Sequence, residues 1–585
     1  MADESRWTIS RIRRVKLSWG DALRNPHLCK YCQIPLLTGE RDGFCCGTKG
    51  SHLHDVPPLP PLPDEYDVFL EHPRLSALSR VLNLVFSFAL LETTHKFPEI
   101  NVWPHFFAIQ GRVYHRMRPS HESSVIKWIL YDGFLSNVPN RHLFQCLPAD
   151  WVNAMRMCLF RINPFAHSFI MLLRSLSQYP CASLTLCHTP STPEVAALIS
   201  ITSNTVRQTR GRELVISPIS GDNIHVPTLS TLWEPLAYPL LFPHGSPGWG
   251  LMSGNLRTLD RSYAQTATTT QMWFYRARLL REPRFSIFGH LCNEYIVDMF
   301  SRDLESRLLY ICNNQSRIRH EDPNLRPLEQ DRDCQADSVY LPSSFVGSNQ
   351  WSSEHIADGL AIAAQLGNPT FFITMTCSPD WPEIQNKLRP GQTWSDIPVV
   401  VVRAFHRRLA LLEKELRSMF GKRVLYIMHH VEFQQRGMPH AHILIKFACG
   451  TLTPSDIDNI VSAELPHDEP DRSLVQRYMI HHHPPPDEPP SSYCQKEDAF
   501  GIRHCRFHYP RPLQPATTID DLGRVHYKRT HPDDAMVVPC CLPLLRAFEC
   551  HMNFEVAASS HLFQYLFKYI NKSLFFFFNS PPKTS

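Results

Sequence analysis

The chain has 585 residues, and at about 100–200 residues per domain that length predicts roughly three to five domains. Hydrophobic residues make up 43% and charged residues 19%, which excludes a disordered chain of low hydrophobicity and high net charge. The net charge is only +4, from 59 basic and 55 acidic residues, so the chain is no polybasic binder and any nucleic-acid surface must be local.

In chain order, residues 1–56 form a small Cys/His-rich element. Cys29-Lys-Tyr-Cys32 has zinc-knuckle spacing, and Cys45 and Cys46 follow about a dozen residues on. Adjacent cysteines rarely both ligate one ion, so His52 or His54 is an alternative fourth ligand for a structural Zn²⁺. The N-terminus lacks the apolar stretch of a secretory signal, and no apolar run reaches a membrane span, so no membrane partner is expected. With 18 scattered cysteines, the chain is expected to be intracellular and mostly reduced. Pro57–Asp64 (PPLPPLPD) reads as a stiff spacer.

Residues 65–215 read as an α/β accessory region. Arg74–Leu91 is an expected helix, Phe106–Met117 a pair of strands about Gln110-Gly111, and Leu143–Leu176 mostly helix, broken near Pro164. Residues 216–338 read as largely helical from 259 onward. The arginines in YRARLLREPR at 275–284 suggest a solvated or phosphate-contacting helix face.

From 339 the pattern changes. Pro369–Cys377 reads as a buried strand, Val399–Phe420 as an amphipathic helix, and Val424–Phe433 and His440–Phe447 as strands joined by the turn Gln434–Pro439. Residues two apart on a strand share a face, so His440 and His442 project together, and Glu432 and Gln434 can reach the same ion from across the hairpin. Two imidazoles with a carboxylate or amide oxygen suit Mg²⁺ or Mn²⁺, and Zn²⁺ also fits. Spacing alone does not single out the pair: with 31 histidines, composition predicts about 1.6 His-x-His pairs, and His52/His54 and His481/His483 are two more.

Ala557–Lys572 (AASSHLFQYLFKYINK) reads as a helix with Tyr565 and Tyr569 on one face and Lys568 and Lys572 on the next. A tyrosine can attack a phosphodiester when a metal polarises the phosphate. Arg436 in the hairpin turn joins the two lysines as a candidate DNA contact. Arg403–Arg408, Lys422–Tyr426 and Tyr527–Arg529 combine charge with aromatics, as single-strand binding uses.

The strings YLPSSFVGS (340–348), FFITMTCSPDWPEI (371–384), HHVEFQQRGMPHAHILIKF (429–447), VVPCCLPLLRAFECHMNFEV (537–556) and QYLFKYINK (564–572) resemble the replication-initiator (Rep), helicase-like domain of Helitron transposons. FAIQGRVYHRMRPS, YPLLFPHGSPGW and CNEYIVDMFSRDLESRLLYI resemble segments that precede that domain. The resemblance implies an α+β fold: an HUH-type antiparallel sheet with packed helices over 339–573, preceded by mixed α/β accessory regions and the Cys-rich element.

It further implies a single-strand DNA endonuclease for rolling-circle transposition. His440 and His442 would hold a divalent metal with Gln434, or next Glu432, as third ligand. Tyr565 and Tyr569 would be paired nucleophiles forming a 5′-phosphotyrosine. The partners would be single-stranded DNA and transposon ends, in the nucleus. The alternative is an inactive remnant that keeps only DNA or zinc binding. A Cys/His/Pro-rich insertion at 481–535, with Cys494, His504, Cys505 and His508, is a further candidate zinc element. No GxxxxGK[ST] phosphate loop occurs, and SLFFFFNSPPKTS (573–585) departs from the family pattern, leaving a non-family tail at 574–585, so a truncated product with its helicase missing or supplied in trans is expected.

Overall fold

A computed structural model describes residues 7–21, 27–93, 113–117, 146–178, 182–188, 195–201, 214–216, 224–226, 230–250, 269–321, 340–346, 348–433, 437–483, 494–498, 501–521 and 523–557. The chain gathers into two compact units, one of residues 19–316 with 386–400, the other of residues 1–18, 317–385 and 401–585. The N-terminal element is therefore divided between them: in the second unit Ser10 N–H donates to the Met419 carbonyl and Val15 N–H to that of Ala547. Helices and antiparallel sheets make up both units, an α+β architecture. Among the described residues, no helix is long and apolar enough to cross a membrane.

In the first unit, helix α1 (Leu75–Phe86) buries Leu75, Leu78, Leu82, Val85 and Phe86 at helical spacing. It ends earlier than its apolar run suggests, because Leu90–Thr93 turns into strand β1, paired with β2 (Val113–Met117). Of the two strands expected within Phe106–Met117, residues 106–112 lie outside the described residues. Helices α2 (Ala149–Ile162) and α3 (Pro164–Gln178) break at Asn163, whose Oδ1 accepts from the N–H groups of Phe165 and Ala166 and so caps α3. Strands β3 (Ala182–His188), β4 (Val195–Ile201) and β5 (Leu214–Ile216) form one sheet in the order β4-β3-β5, and β6 (Ile224–His225) extends the β1-β2 sheet.

Helices α4 (Gln271–Arg281) and α5 (His290–Asn313) follow, separated where one continuous helix was expected. Three of the four arginines in α4 and the turn after it point inward, whereas Arg276 is exposed and donates to the Phe44 carbonyl at 2.9 Å. Arg278 donates to the Pro57 carbonyl at 2.7 Å, Arg281 to Val56 at 2.6 Å and Arg284 to Leu241 at 2.8 Å. The Pro57–Asp64 segment is held by its carbonyls, Pro57 accepting from Arg278 and Pro60 from Arg284. Deeper in this unit, Glu234 accepts from Trp249 N–H at 2.7 Å and Tyr295 Oη at 2.8 Å, and Arg302 Nη2 donates to the Ser230 and Trp249 carbonyls.

Residues 386–400 are tied to this unit by Asp396: His290 Nε2 lies 3.1 Å from its Oδ1, and Thr393 N–H donates to Oδ2 at 2.7 Å. Burial pushes the Asp396 carboxyl up, but the His290 and Thr393 bonds outweigh it and hold the group below its usual range. A depressed folded value gives stability that is complete above about pH 4 and is lost as pH falls. Asp396→Asn is expected to cost about 1–3 kcal/mol at pH 7 and much less at pH 3, compared by denaturant titration. An equal cost at both pH values would show that the charge plays no part.

The second unit is built on a four-stranded antiparallel sheet. Helix α6 (Asn349–Leu366), capped by the Ser348 hydroxyl, leads to β7 (Phe371–Thr376). Helix α7 (Pro398–Ser418) precedes β8 (Val424–Phe433) and β9 (Pro439–Phe447). Helix α8 (Asp471–Tyr478), the short hairpins β10 (Gln495–Glu497)/β11 (Arg503–Cys505) and β12 (Thr518–Ile519)/β13 (Val525–His526), and helix α9 (Leu542–Phe548) come before β14 (Met552–Val556). The sheet order is β14-β7-β9-β8.

Alternation divides this sheet into two faces. Phe371, Ile373, Met375, Ala441, Ile443, Ile445 and Phe554 are buried on one side, where Phe371 packs on Phe420, Phe447 and Trp7. The other side carries Phe372, Tyr426 and Leu444 at one end and the polar site at the other.

Candidate functional site

The register of β8 on β9 sets Glu432 opposite His440 and His430 opposite His442. On the other flank β7 sets Thr374 opposite His442 and Thr376 opposite His440. Opposed residues of antiparallel strands share a face, so all of these side chains lie on the polar end of one surface.

His440 Nε2 lies 2.7 Å from Glu432 Oε1 and 3.1 Å from His442 Nε2, and His442 Nε2 lies 3.8 Å from the same Oε1. Cis ligands of an octahedral ion at about 2.1 Å stand about 3 Å apart, so the 2.7 and 3.1 Å separations match cis positions and the 3.8 Å one is wider than a cis edge. Both histidines are largely buried, at 6% and 7% exposure, while Glu432 is half-buried. Burial pushes the Glu432 carboxyl up, but the hydrogen bonds and charge of His440 and His442 outweigh this and hold it at about 2. An anion therefore faces the two imidazoles at neutral pH.

Thr374 Oγ1 is 3.0 Å from His442 Nδ1, a bond that fixes the ring and presents Nε2. The Phe372 ring stacks on His442 at 5.6 Å and 10°. The His440 Nδ1 and His430 Nε2 atoms are buried without partners. Burial lowers His430, and lowers His551 to about 4, with the charge of His440 adding to the shift at His551.

Sequence reasoning missed Thr374, Phe372 and His430. The signal was there in FFITMT and HHVEF, where each sits an even number of places from a site residue or its strand partner. Gln434 and Arg436 lie outside the described residues, as do Tyr565, Lys568, Tyr569 and Lys572. Glu432 is the expected third ligand that the structure brings to the histidines.

In the three candidate single-strand patches some of the named side chains are held by the fold. Arg408 is buried against Glu383, and Tyr426 donates to the Gly367 carbonyl at 2.9 Å. Arg529 donates to the Ala463 carbonyl at 3.0 Å, and Lys422 lies over the Trp7 ring.

In the first unit Cys29, Cys32, Cys45 and Cys46 converge within 4.8 Å. Cys32 Sγ is 3.0 Å from Cys45 Sγ, and Cys29 Sγ is 3.8 Å from Cys46 Sγ, against the about 3.8 Å between sulfurs of a tetrahedral zinc thiolate shell. The adjacent pair is accommodated by a tight turn closed at Gly47, whose φ of 84° favours glycine. The hydrogen bond from Cys45 lowers the Cys32 thiol, whereas burial and the Cys32 charge push Cys46 up.

His52 is not in this group. Its Nδ1 faces Asp55 and Thr269, and its ring stacks on Trp273, because the fourth position is filled by sulfur. The four cysteines could hold a structural metal such as Zn²⁺.

A search of curated proteins finds no match. Residues 269–445 match the family model described as the Helitron helicase-like domain at N-terminus, a stretch that includes Glu432, His440 and His442 and stops short of Tyr565 and Tyr569. The chain thus carries a Helitron-like region, which points to transposon-related processing of DNA.

Proposed function

We propose that the chain nicks and rejoins single-stranded DNA by attack of paired tyrosines on a phosphodiester, assisted by a divalent metal held by Glu432, His440 and His442. The observation that carries this reading is the convergence of His440 Nε2, His442 Nε2 and Glu432 Oε1 on one sheet face. A Mg²⁺ or Mn²⁺ ion there would supply Lewis-acid polarisation of the phosphate. In the step itself a tyrosine hydroxyl gives up its proton and its oxygen bonds to phosphorus, the bond to the 3′ oxygen breaks, and that oxygen takes up a proton in turn. The product is a 5′-phosphotyrosine and a free 3′ hydroxyl. The link keeps the bond energy, so rejoining needs no nucleotide.

Chain reach supports Tyr565 and Tyr569 as the nucleophiles. Strand β14 starts beside the polar end of β7 and runs away from it, with Val556 opposite Phe371. Ile445, also opposite Phe371, is five residues from His440, about 17 Å of strand. A helix beginning near Ala557, as the sequence predicts, would rise about 12–18 Å by positions 565–569. That length is comparable with the span from Ile445 to His440.

The test is a labelled single-stranded oligonucleotide carrying transposon-end sequence, incubated with Mn²⁺. A covalent protein–DNA adduct is expected, and Tyr565→Phe and Tyr569→Phe should impair different steps, one cleavage and the other strand joining. An adduct that forms undiminished when both tyrosines are replaced would sink the assignment. DNA binding with no adduct in the wild type would favour a remnant that retains only binding.

A further inference from the structure

The insertion between α8 and α9 contains four side chains that the reading above does not use. His481, His483, Cys494 and Cys505 each bring one ligand atom to within 4.8 Å of the others. Cys505 Sγ is 3.5 Å from His481 Nε2. The two imidazole rings stand 4.8 Å apart at 83°, a convergent rather than stacked arrangement. His483 Nε2 is buried with no hydrogen-bond partner, an orphaned ring nitrogen beside two thiols.

We propose that these four residues form a tetrahedral zinc centre that clips the β10–β11 hairpin to the body of the second unit. It is separate from Glu432, His440 and His442 and stands whether or not the nicking reading does.

The backbone explains the convergence. Gln495 pairs with Cys505, and Arg506 N–H donates to the Cys494 carbonyl at 2.7 Å, so the two thiols come together at the open end of one hairpin. On the other side, His481 N–H donates to the Met536 carbonyl at 2.8 Å, next to the bridge between Ile480 and Val537, and its ring stacks on Tyr509 at 4.4 Å. Val537 belongs to the apolar cluster with Val475, Met479 and Leu545, so the histidines are fixed to a packed layer. His481 and His483 are two apart and His482 points to solvent, as an extended segment requires.

The ligand set differs from the sequence expectation. His504 is exposed and pairs with Asp498 at 2.9 Å, and His508 is outside the convergent group. The histidines come instead from HHH at 481–483, which spacing alone could not separate from chance.

The chemistry selects zinc. Two sulfurs and two imidazole nitrogens suit Zn²⁺ and not Mg²⁺ or Mn²⁺, and a tetrahedral shell with bonds of about 2.0–2.3 Å puts its ligand atoms about 3.3–3.8 Å apart. The hairpin also buries little apolar surface. Its strands have three residues each, Lys496, Glu497 and His504 are exposed, and Ile502 is 57% exposed. An isolated hairpin of that size is marginal in water.

Zinc content of the full chain tests the proposal. Cys494→Ser with Cys505→Ser is expected to lower it by one equivalent, whatever the Cys29 cluster contributes. Cys29→Ser with Cys32→Ser should leave one equivalent bound. In that second variant Co²⁺ should give a tetrahedral spectrum with about half the thiolate charge transfer per ion of a four-cysteine site. His504→Ala and His508→Ala should leave the metal in place.

Chelation of the unmutated protein supplies an arm free of folding artefacts. Amide exchange across residues 494–505 should accelerate at least tenfold, while that of Phe371–Thr376 should not. Unchanged zinc in Cys494→Ser with Cys505→Ser, complete loss with Cys29→Ser and Cys32→Ser, loss with His504→Ala or His508→Ala, or indifferent exchange after chelation would each overturn it.

Discussion

Replacing His440 and His442 together by alanine is expected to reduce adduct formation on single-stranded DNA at least a hundredfold at fixed Mn²⁺. A metal that polarises a phosphoryl oxygen is worth several kcal/mol in the transition state, and each 1.36 kcal/mol is about tenfold in rate. The double variant leaves Glu432 half-buried and without the two imidazole nitrogens that face it. Single variants should separate the roles. His440→Ala removes the nitrogen nearest Glu432, at 2.7 Å, whereas Thr374→Val removes only the oxygen facing His442 Nδ1 and should cost about 10–100-fold in metal affinity. Glu432→Gln keeps an oxygen ligand but loses its charge, so excess Mn²⁺ should restore much of its activity and none of that of the double histidine variant. The sheet should survive all of these, because the apolar face of Phe371, Ile373, Ile443 and Ile445 is untouched. Full adduct formation by the double variant, folded and at low Mn²⁺, would remove the metal from the mechanism.

The sheet and its histidines were legible because their signals are local. A β-branched and aromatic run marks FFITMT as a strand and an apolar run marks HAHILIKF as another, and a strand carries His440 and His442 on one face wherever it sits. What one strand does opposite another was less legible. Glu432 joins the site because it falls directly across from His440, a register fixed by the hairpin turn and the buried face together. The direction of long cationic side chains was least legible. Arg278, Arg281 and Arg284 look like a solvated row, yet they turn inward to carbonyls of a proline segment more than 200 residues away. Nothing local distinguishes an arginine that caps distant carbonyls from one that meets water, since its stem packs equally well either way. The same holds for His481 and His483, whose partners lie beyond a proline-rich stretch.

Arg408→Met is expected to destabilise the second unit by about 3–5 kcal/mol, on the order of ten degrees in melting midpoint. Arg408 sits in the buried stripe of α7 and is 2% exposed. Its guanidinium forks onto Glu383, with Nη2 at 3.1 Å from Oε2, donates from Nη1 to the Phe548 carbonyl at 2.9 Å, and lies 4.3 Å over the Trp381 ring. Trp381 Nε1 donates to the same carbonyl at 2.9 Å. Removing the cation therefore leaves Glu383, 1% exposed, as a buried charge without its guanidinium. That stranded charge, rather than the lost attraction, is the source of the penalty. Arg408→Met combined with Glu383→Leu should therefore recover most of the stability, because a hydrophobic replacement of a whole buried pair is close to neutral. The knot joins the segment after β7 to the end of α9, immediately before β14, and both strands flank the polar end of the sheet. The single variant should consequently weaken metal binding at Glu432, His440 and His442 as well as lower the melting midpoint, and the double variant should restore both. Calorimetric melts and Mn²⁺ titration on the three proteins would show it. A double variant as unstable as Arg408→Met would mean that the charged pair itself, not its incomplete removal, holds this corner of the fold.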